Sequence, residues 1–95
     1  MPGRSEIRQI LSTEGKVIGE AEYQAGKLHG VSRLWDENGQ LVEQSCYALG
    51  KLHGPYQTWW SNGQPKERGT YHNGEKTGRY QWFTKDGDLL EEHSF

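Results

Sequence analysis

Two histidines occupy identical settings, Gly26-Lys27-Leu28-His29-Gly30 and Gly50-Lys51-Leu52-His53-Gly54, and they are the first residues to weigh for acid–base or metal chemistry. They stand 24 residues apart. If each belongs to one of two successive hairpins, they lie two strands apart, roughly 9–10 Å, whereas a shared zinc needs each imidazole at about 2.0–2.1 Å. The pair cannot chelate one ion. Thr77 stands where a third histidine would continue the ladder, and His72 and His93 align with no histidine, so both are expected at the surface. Cys46 is the single cysteine, which rules out an internal disulfide and a thiolate cluster. Ser, Cys, His and Asp nowhere take the spacing of a nucleophile site. The expectation is a protein with no catalytic residues, no metal and no cofactor.

The segments that carry these residues repeat. Tyr23, Tyr47, Tyr71 and Phe95 are each 24 apart, as are Gly15, Gly39, Gly63 and Gly87. Leu11, Trp35, Trp59 and Phe83 form another column, and Gly30, Gly54 and Gly78 a third. Four units follow, a degenerate one over 1–23 and then 24–47, 48–71 and 72–95, read together as a single domain over 1–95. The first unit has "PGRSE" where later ones have "GKLHG", "GKLHG" and "GEKTG". End copies of an array are often atypical because they have a neighbour on one side only.

Within a unit, "VSRLW" leads to "DENG", "PYQTWW" to "SNG" and "YQWF" to "TKDG", each closing on the glycine that accepts the left-handed conformation of a bulged hairpin turn. Runs of period 2 follow, as in "QLVEQSCY". No segment free of glycine is long enough for a helix. The pattern predicts an all-β fold of four stacked hairpins, about eight short strands in an antiparallel meander. "GKLHG" itself reads as a tight five-residue turn, its histidine dispensable and its glycines required by the backbone.

Composition agrees with a thin, aromatic core. Leu, Ile, Val and Phe make up only 16 of 95 residues, but four Trp and five Tyr add large apolar surface, and the net charge is −2. No apolar run reaches the ~20 residues of a membrane span, and "MPGRSEIRQIL" lacks the apolar region of a secretory signal. A soluble, cytoplasmic protein is expected, with no membrane insertion and no direct nucleic-acid binding.

The stretches "YQAGKLHGVSRLWDENGQLVE", "YALGKLHGPYQTWWSNGQPKE" and "YHNGEKTGRYQWFTKDGDLLE" resemble MORN (membrane occupation and recognition nexus) repeats. They are most similar to the variant found in bacterial antitoxin-like proteins of the YwqK type. The resemblance covers residues 23 to 92, and its third copy departs at "GEKTG", which lacks both Leu and His. It implies a MORN-like sheet and an antitoxin or immunity role beside a toxin.

Parity along the strands suggests where a partner would bind. Trp35, Trp59 and Phe83, with Tyr23, Tyr47 and Tyr71, are assigned to one side of the sheet as its core layer. Tyr56, Trp60, Tyr80 and Trp82 are assigned to the other side, as surplus rings forming an exposed recognition patch. Asp86, Asp88, Glu91 and Glu92 form an acidic cluster near the C-terminus, which either guards an edge strand or meets a basic partner. These eight residues are the expected partner-binding set.

The expected function is therefore a non-enzymatic protein-binding module, an antitoxin or immunity-type inhibitor that occupies the surface of a toxin or nuclease. The alternatives are a phage-borne inhibitor of a host defence complex, a scaffold self-associating through edge strands at 7 to 11 and 89 to 95, and, lowest, lipid-surface binding.

Overall fold

The computed structural model describes residues 5–95; Pro2, Gly3 and Arg4 of the degenerate first turn segment lie outside the described residues. The described chain forms one antiparallel meander of nine strands. They are β1 (Ser5–Leu11), β2 (Val17–Gln24), β3 (Lys27–Trp35), β4 (Leu41–Ala48), β5 (Lys51–Leu52), β6 (Gly54–Trp59), β7 (Pro65–His72), β8 (Glu75–Phe83) and β9 (Leu89–Ser94). Each pairs with the next in sequence, except that β5 and β6 both pair with β4. The expected all-β hairpin array is what forms, with one strand more than expected. β5 and β6 replace a single strand: His53 N still donates to Cys46 O at 2.8 Å, but regular pairing with β4 lapses between Leu52 and Gln57, a stretch that includes Pro55, which has no N–H to give. The equivalent β3 and β8 carry Val31 and Arg79 at that place and run unbroken.

Two kinds of turn alternate. The tight one places Ala25-Gly26, Leu49-Gly50 and Asn73-Gly74 at φ near 51/80°, 50/87° and 49/90°, the paired positive angles of a two-residue type I′ turn, whose twist matches that of the strands it joins. "GKLHG" is therefore not the turn. Its first glycine closes the turn, and its Lys and Leu already lie in β3 or β5. Its last glycine, Gly30 or Gly54, sits at φ 114° or 113° inside or at the start of the next strand.

The wider turn closes each bulged hairpin, as expected. Gly15, Gly39, Gly63 and Gly87 donate to the carbonyls of Ser12, Asp36, Trp60 and Thr84 at 2.9–3.0 Å. Ladder shifts at Ile10/Leu11, Leu34/Trp35, Thr58/Trp59 and Trp82/Phe83 mark the bulges.

The sheet is a single layer. The Cα extents are 45 × 36 × 13 Å, and the radius of gyration is 14.8 Å. A compact chain of this size would have about 13 Å. Among the described residues no second layer covers either face, so burial comes from neighbouring side chains on the same face. Among the described residues the one fully buried large side chain is Tyr80, at 0% exposure.

Candidate functional site

The surroundings of Tyr80 are built from β6, β7, β8 and β9. In β7 burial alternates strictly, with Pro65, Glu67, Gly69 and Tyr71 half-buried and Lys66, Arg68, Thr70 and His72 exposed. Register then decides which residues of the adjoining strands share a side. Tyr56 lies opposite Gly69, Thr58 and Trp82 opposite Glu67, and Lys76 opposite Tyr71. All of these occupy what may be called the ring face.

The rings there touch in series. Tyr56 meets Tyr71 edge-on at 5.3 Å between centroids, and Tyr71 meets Tyr80 edge-on at 6.1 Å. Tyr80 in turn packs on Trp82 at 4.7 Å and on Phe95 at 6.1 Å. Edge-to-face and tilted contacts at these distances suit the ring quadrupoles. Tyr80 lies so close over Gly69 that a β-carbon there would overlap its ring. Ala21 and Ser45, the equivalents of Gly69, are also small.

Carboxylates anchor the phenols. The Tyr56 hydroxyl donates to Glu43 Oε1 at 2.9 Å, and the Tyr80 hydroxyl donates to Glu67 Oε1 at 3.1 Å. Both pairs are 13 residues apart, one unit after the other. Thr58 donates to the second oxygen of Glu67 at 3.1 Å. Burial, followed by the Glu43 carboxylate, raises the Tyr56 hydroxyl well above the ordinary phenol value. The Tyr80 hydroxyl is raised further, by burial first and then by Tyr71 and Glu67. Both phenols therefore stay protonated near neutrality and act as hydrogen-bond donors to the carboxylates. Lys76 holds its ammonium 4.8 Å from the Tyr80 centroid, 5.5 Å from Trp82 and 5.8 Å from Phe95, a cation resting on three rings.

The expected two-sided division of the aromatics is therefore corrected. Tyr71, assigned to the core side, shares a face with Tyr56, Tyr80 and Trp82, while Phe83 lies on the reverse under Arg68, at 5.5 Å. Trp35 and Trp59 follow ring-face residues directly and so accompany Phe83. Parity is kept only within a strand. The bulge in each hairpin shifts the register by one, so residues of equal parity on either side of it need not point the same way. Tyr80, expected in an exposed patch, is instead the most enclosed ring of the molecule.

Trp60 lies apart from the other rings expected to join it. It stands at the start of the β6–β7 turn, a place held in the other units by Ser12, Asp36 and Thr84. Those side chains accept backbone N–H groups within their own turns at 2.9–3.3 Å. Trp60 cannot, and Asn62 takes over by accepting the Gln64 N–H at 3.0 Å. The indole N–H reaches Phe83 O at 3.2 Å, and Lys66 and Lys85 place their ammonium groups 4.7 and 5.4 Å from the ring.

The four acidic residues do not form one patch either. Glu91 pairs with Trp82 on the ring face and bonds His93 at 2.9 Å. Glu92 points to the reverse, to Gln81 at 2.9 Å and Arg79 at 3.4 Å. Asp86 and Asp88 precede β9, in the turn closed by Thr84 and Gly87. Strand alternation separates neighbours that the linear sequence shows side by side.

The two motif histidines are fasteners. His29 Nδ1 accepts the Leu49 N–H at 3.2 Å, and His53 Nδ1 accepts the Asn73 N–H at 3.1 Å. Each histidine thereby holds the tight turn of the following unit. Beside each bond, Gly50 N donates to Leu28 O at 2.8 Å and Gly74 N to Leu52 O at 2.7 Å. The ring of His72 lies 4.8 Å from that of His53. No group of three or more metal-binding side chains occurs among the described residues.

Glu43, Glu67, Tyr71, Lys76 and Phe95 belong to the ring face but were absent from the expected set. The repeated 13-residue interval between Glu and Tyr was the available signal for two of them. No curated protein and no solved structure matches the chain. Residues 28–48 and 52–73 each match the model of the MORN repeat variant. The centre of this chain is thus similar to a repeat that generally serves as a non-enzymatic binding module for protein or membrane.

Proposed function

We propose that this chain is a protein-binding module that docks a partner on its ring face, acting as an antitoxin or immunity-type inhibitor that covers the surface of a toxin or nuclease. The observation that carries the reading is the group of rings formed by Tyr56, Tyr71, Tyr80, Trp82 and Phe95, on a sheet over which the described residues place no second layer. In a two-layered domain such rings would be core. Here Phe95 is 57% exposed and Trp82 and Tyr56 are half-buried, so their free surface is available to a partner. The bonds to Glu43 and Glu67 already fix the phenols, which lowers the ordering cost of binding.

The test is capture from the native lysate with the tagged chain, Trp82→Ala and Phe95→Ala serving as controls, followed by titration of the purified partner's activity. Stoichiometric inhibition by the wild type, weakened in both variants while their melts stay cooperative, is the expected result. A partner held equally by both variants would sink the assignment to this face. Co-sedimentation with anionic vesicles, and no protein partner, would turn the reading toward a membrane surface.

A further inference from the structure

Most of the exposed large apolar side chains lie on the two end strands of the sheet. Ile7, Ile10 and Leu11 of β1 and Leu89 and Leu90 of β9 are all more than half exposed. Each of these strands has a paired neighbour on one side only among the described residues. Open edges of this kind are templates for pairing with another chain.

The repeat states what each edge would accept. β2, β4 and β7 occupy one place in the unit, and each passes to a strand of the next unit, β3, β6 and β8, in a constant register. Gly19 lies opposite Leu34, Glu43 opposite Thr58 and Glu67 opposite Trp82, each pair 24 residues after the last. By the same count β9 is equivalent to β7, and β1 is equivalent to β8. Continuing the register sets Glu91 opposite Ile10 of a second copy, and His93 opposite its Arg8. On the reverse face, Leu90 comes opposite its Leu11.

We propose that copies of this chain join head to tail, β9 of one pairing with β1 of the next, and that Arg8 and Glu91 form the bond that selects this register. At both internal boundaries where a carboxylate holds this place, it receives a hydrogen bond from the facing strand, Tyr56 to Glu43 and Tyr80 to Glu67. Glu91 is the third carboxylate of that series and Arg8 the residue in the tyrosine's place. A guanidinium–carboxylate bond is the stronger form of the same contact. Arg8 meanwhile rests its guanidinium 4.1 Å from the Tyr23 centroid and bonds Glu6 at 2.8 Å, while Glu91 bonds His93 at 2.9 Å. Both ion pairs join exposed side chains and are weak enough to exchange, and the stacking on Tyr23 can persist while Arg8 turns its fork to Glu91. His93 replaces the small Ala21, Ser45 and Gly69. A ring could not lie over it as Tyr80 lies over Gly69, whereas an unbranched arginine can pass beside it.

Such contacts are heterologous, so each joined copy leaves an edge for another and the average mass grows with concentration. The main-chain pairing uses the open edges, and the Arg8–Glu91 bond lies on the side of the sheet that carries the rings, at its ends. The self-association test reads mass and is therefore distinguishable from capture of a different partner. The experiment is sedimentation equilibrium of the whole chain over a concentration series, for the wild type, Arg8→Glu, Glu91→Arg and the double variant. The wild type should gain mass with concentration, each single reversal should weaken association at least about tenfold, and the double variant should recover it. Circular dichroism melts verify that all four chains are folded. A wild type that stays monomeric up to its solubility limit, association untouched by either reversal, or a double variant no better than the singles would each overturn the proposal.

Discussion

The ring of Tyr80 rests directly on the backbone of Gly69, with no room for a β-carbon between them. Gly69 is not in the left-handed region, so close approach and not backbone conformation requires glycine here. Gly69→Ala should displace the one fully buried ring and lower stability by about 1–3 kcal/mol, as overpacking does. At Gly15, which has open space around it, the same substitution would strain only the turn. Urea unfolding of Gly69→Ala beside Tyr80→Ala would check this. If the ring contact is the cause, Gly69→Ala should add little to Tyr80→Ala in the double variant.

The phenols of Tyr56 and Tyr80 stay protonated in the fold above the ordinary value of 10.0. Unfolding therefore releases protons at alkaline pH. The stability they contribute is complete below about pH 10 and falls as pH rises beyond it. Urea midpoints measured from pH 8 to pH 12 should drop above pH 10. Tyr56→Phe and Tyr80→Phe should each flatten that slope, while losing about 1 kcal/mol at neutral pH with the hydrogen bond to Glu43 or Glu67.

His53→Ala removes the acceptor for the Asn73 N–H. That amide sits in an exposed turn and water replaces the lost partner, so the cost should be about 0.5–1.5 kcal/mol. For a domain of this size the melting temperature would fall by several degrees, about 4–8 °C per kcal/mol. Amide exchange at Asn73 should quicken while exchange in β1 and β2 stays unchanged. Gly54→Val, strained at φ 113° and close to the Cys46 Cβ, should cost more.

Leu49 occupies the left-handed region at φ 50° with 68% of its surface exposed. Asn73 holds the equivalent place at φ 49°. Leu49→Asn should stabilise the chain by roughly 0.5–1 kcal/mol, because asparagine tolerates this conformation and the turn prefers Asn-Gly. A thermal melt suffices, and a lower midpoint would contradict the steric account.

The period, the hairpin order and the bulged turns were legible because glycine and polar turn residues mark them at a 24-residue spacing. The division of faces was not. Trp59 and Tyr71 share parity, but the ladder shift at Thr58/Trp59 lies between them and puts them on opposite sides. Trp60 looked like a partner of Trp82 for the same reason. Burial of Tyr80 depends on Gly69, Lys76 and Phe95, which come together only when three strands are placed in register. The histidines' role also escaped, since it joins a side chain to a main-chain amide 20 residues on, and any residue type but proline could supply that amide.

Each histidine bond reaches from one unit to the next and stops there. The unit 48–71 therefore brings an imidazole, His53, for its successor and a turn amide, that of Leu49, for its predecessor, like a link with a hook at one end and an eye at the other. A duplicate of 48–71 inserted at either of its boundaries would find both fittings waiting, and removal of that unit would leave His29 facing the turn amide of Asn73. The length of such a chain can thus change by whole units during descent without any new packing problem to solve, and the reach of its surface can follow the size of whatever it must cover.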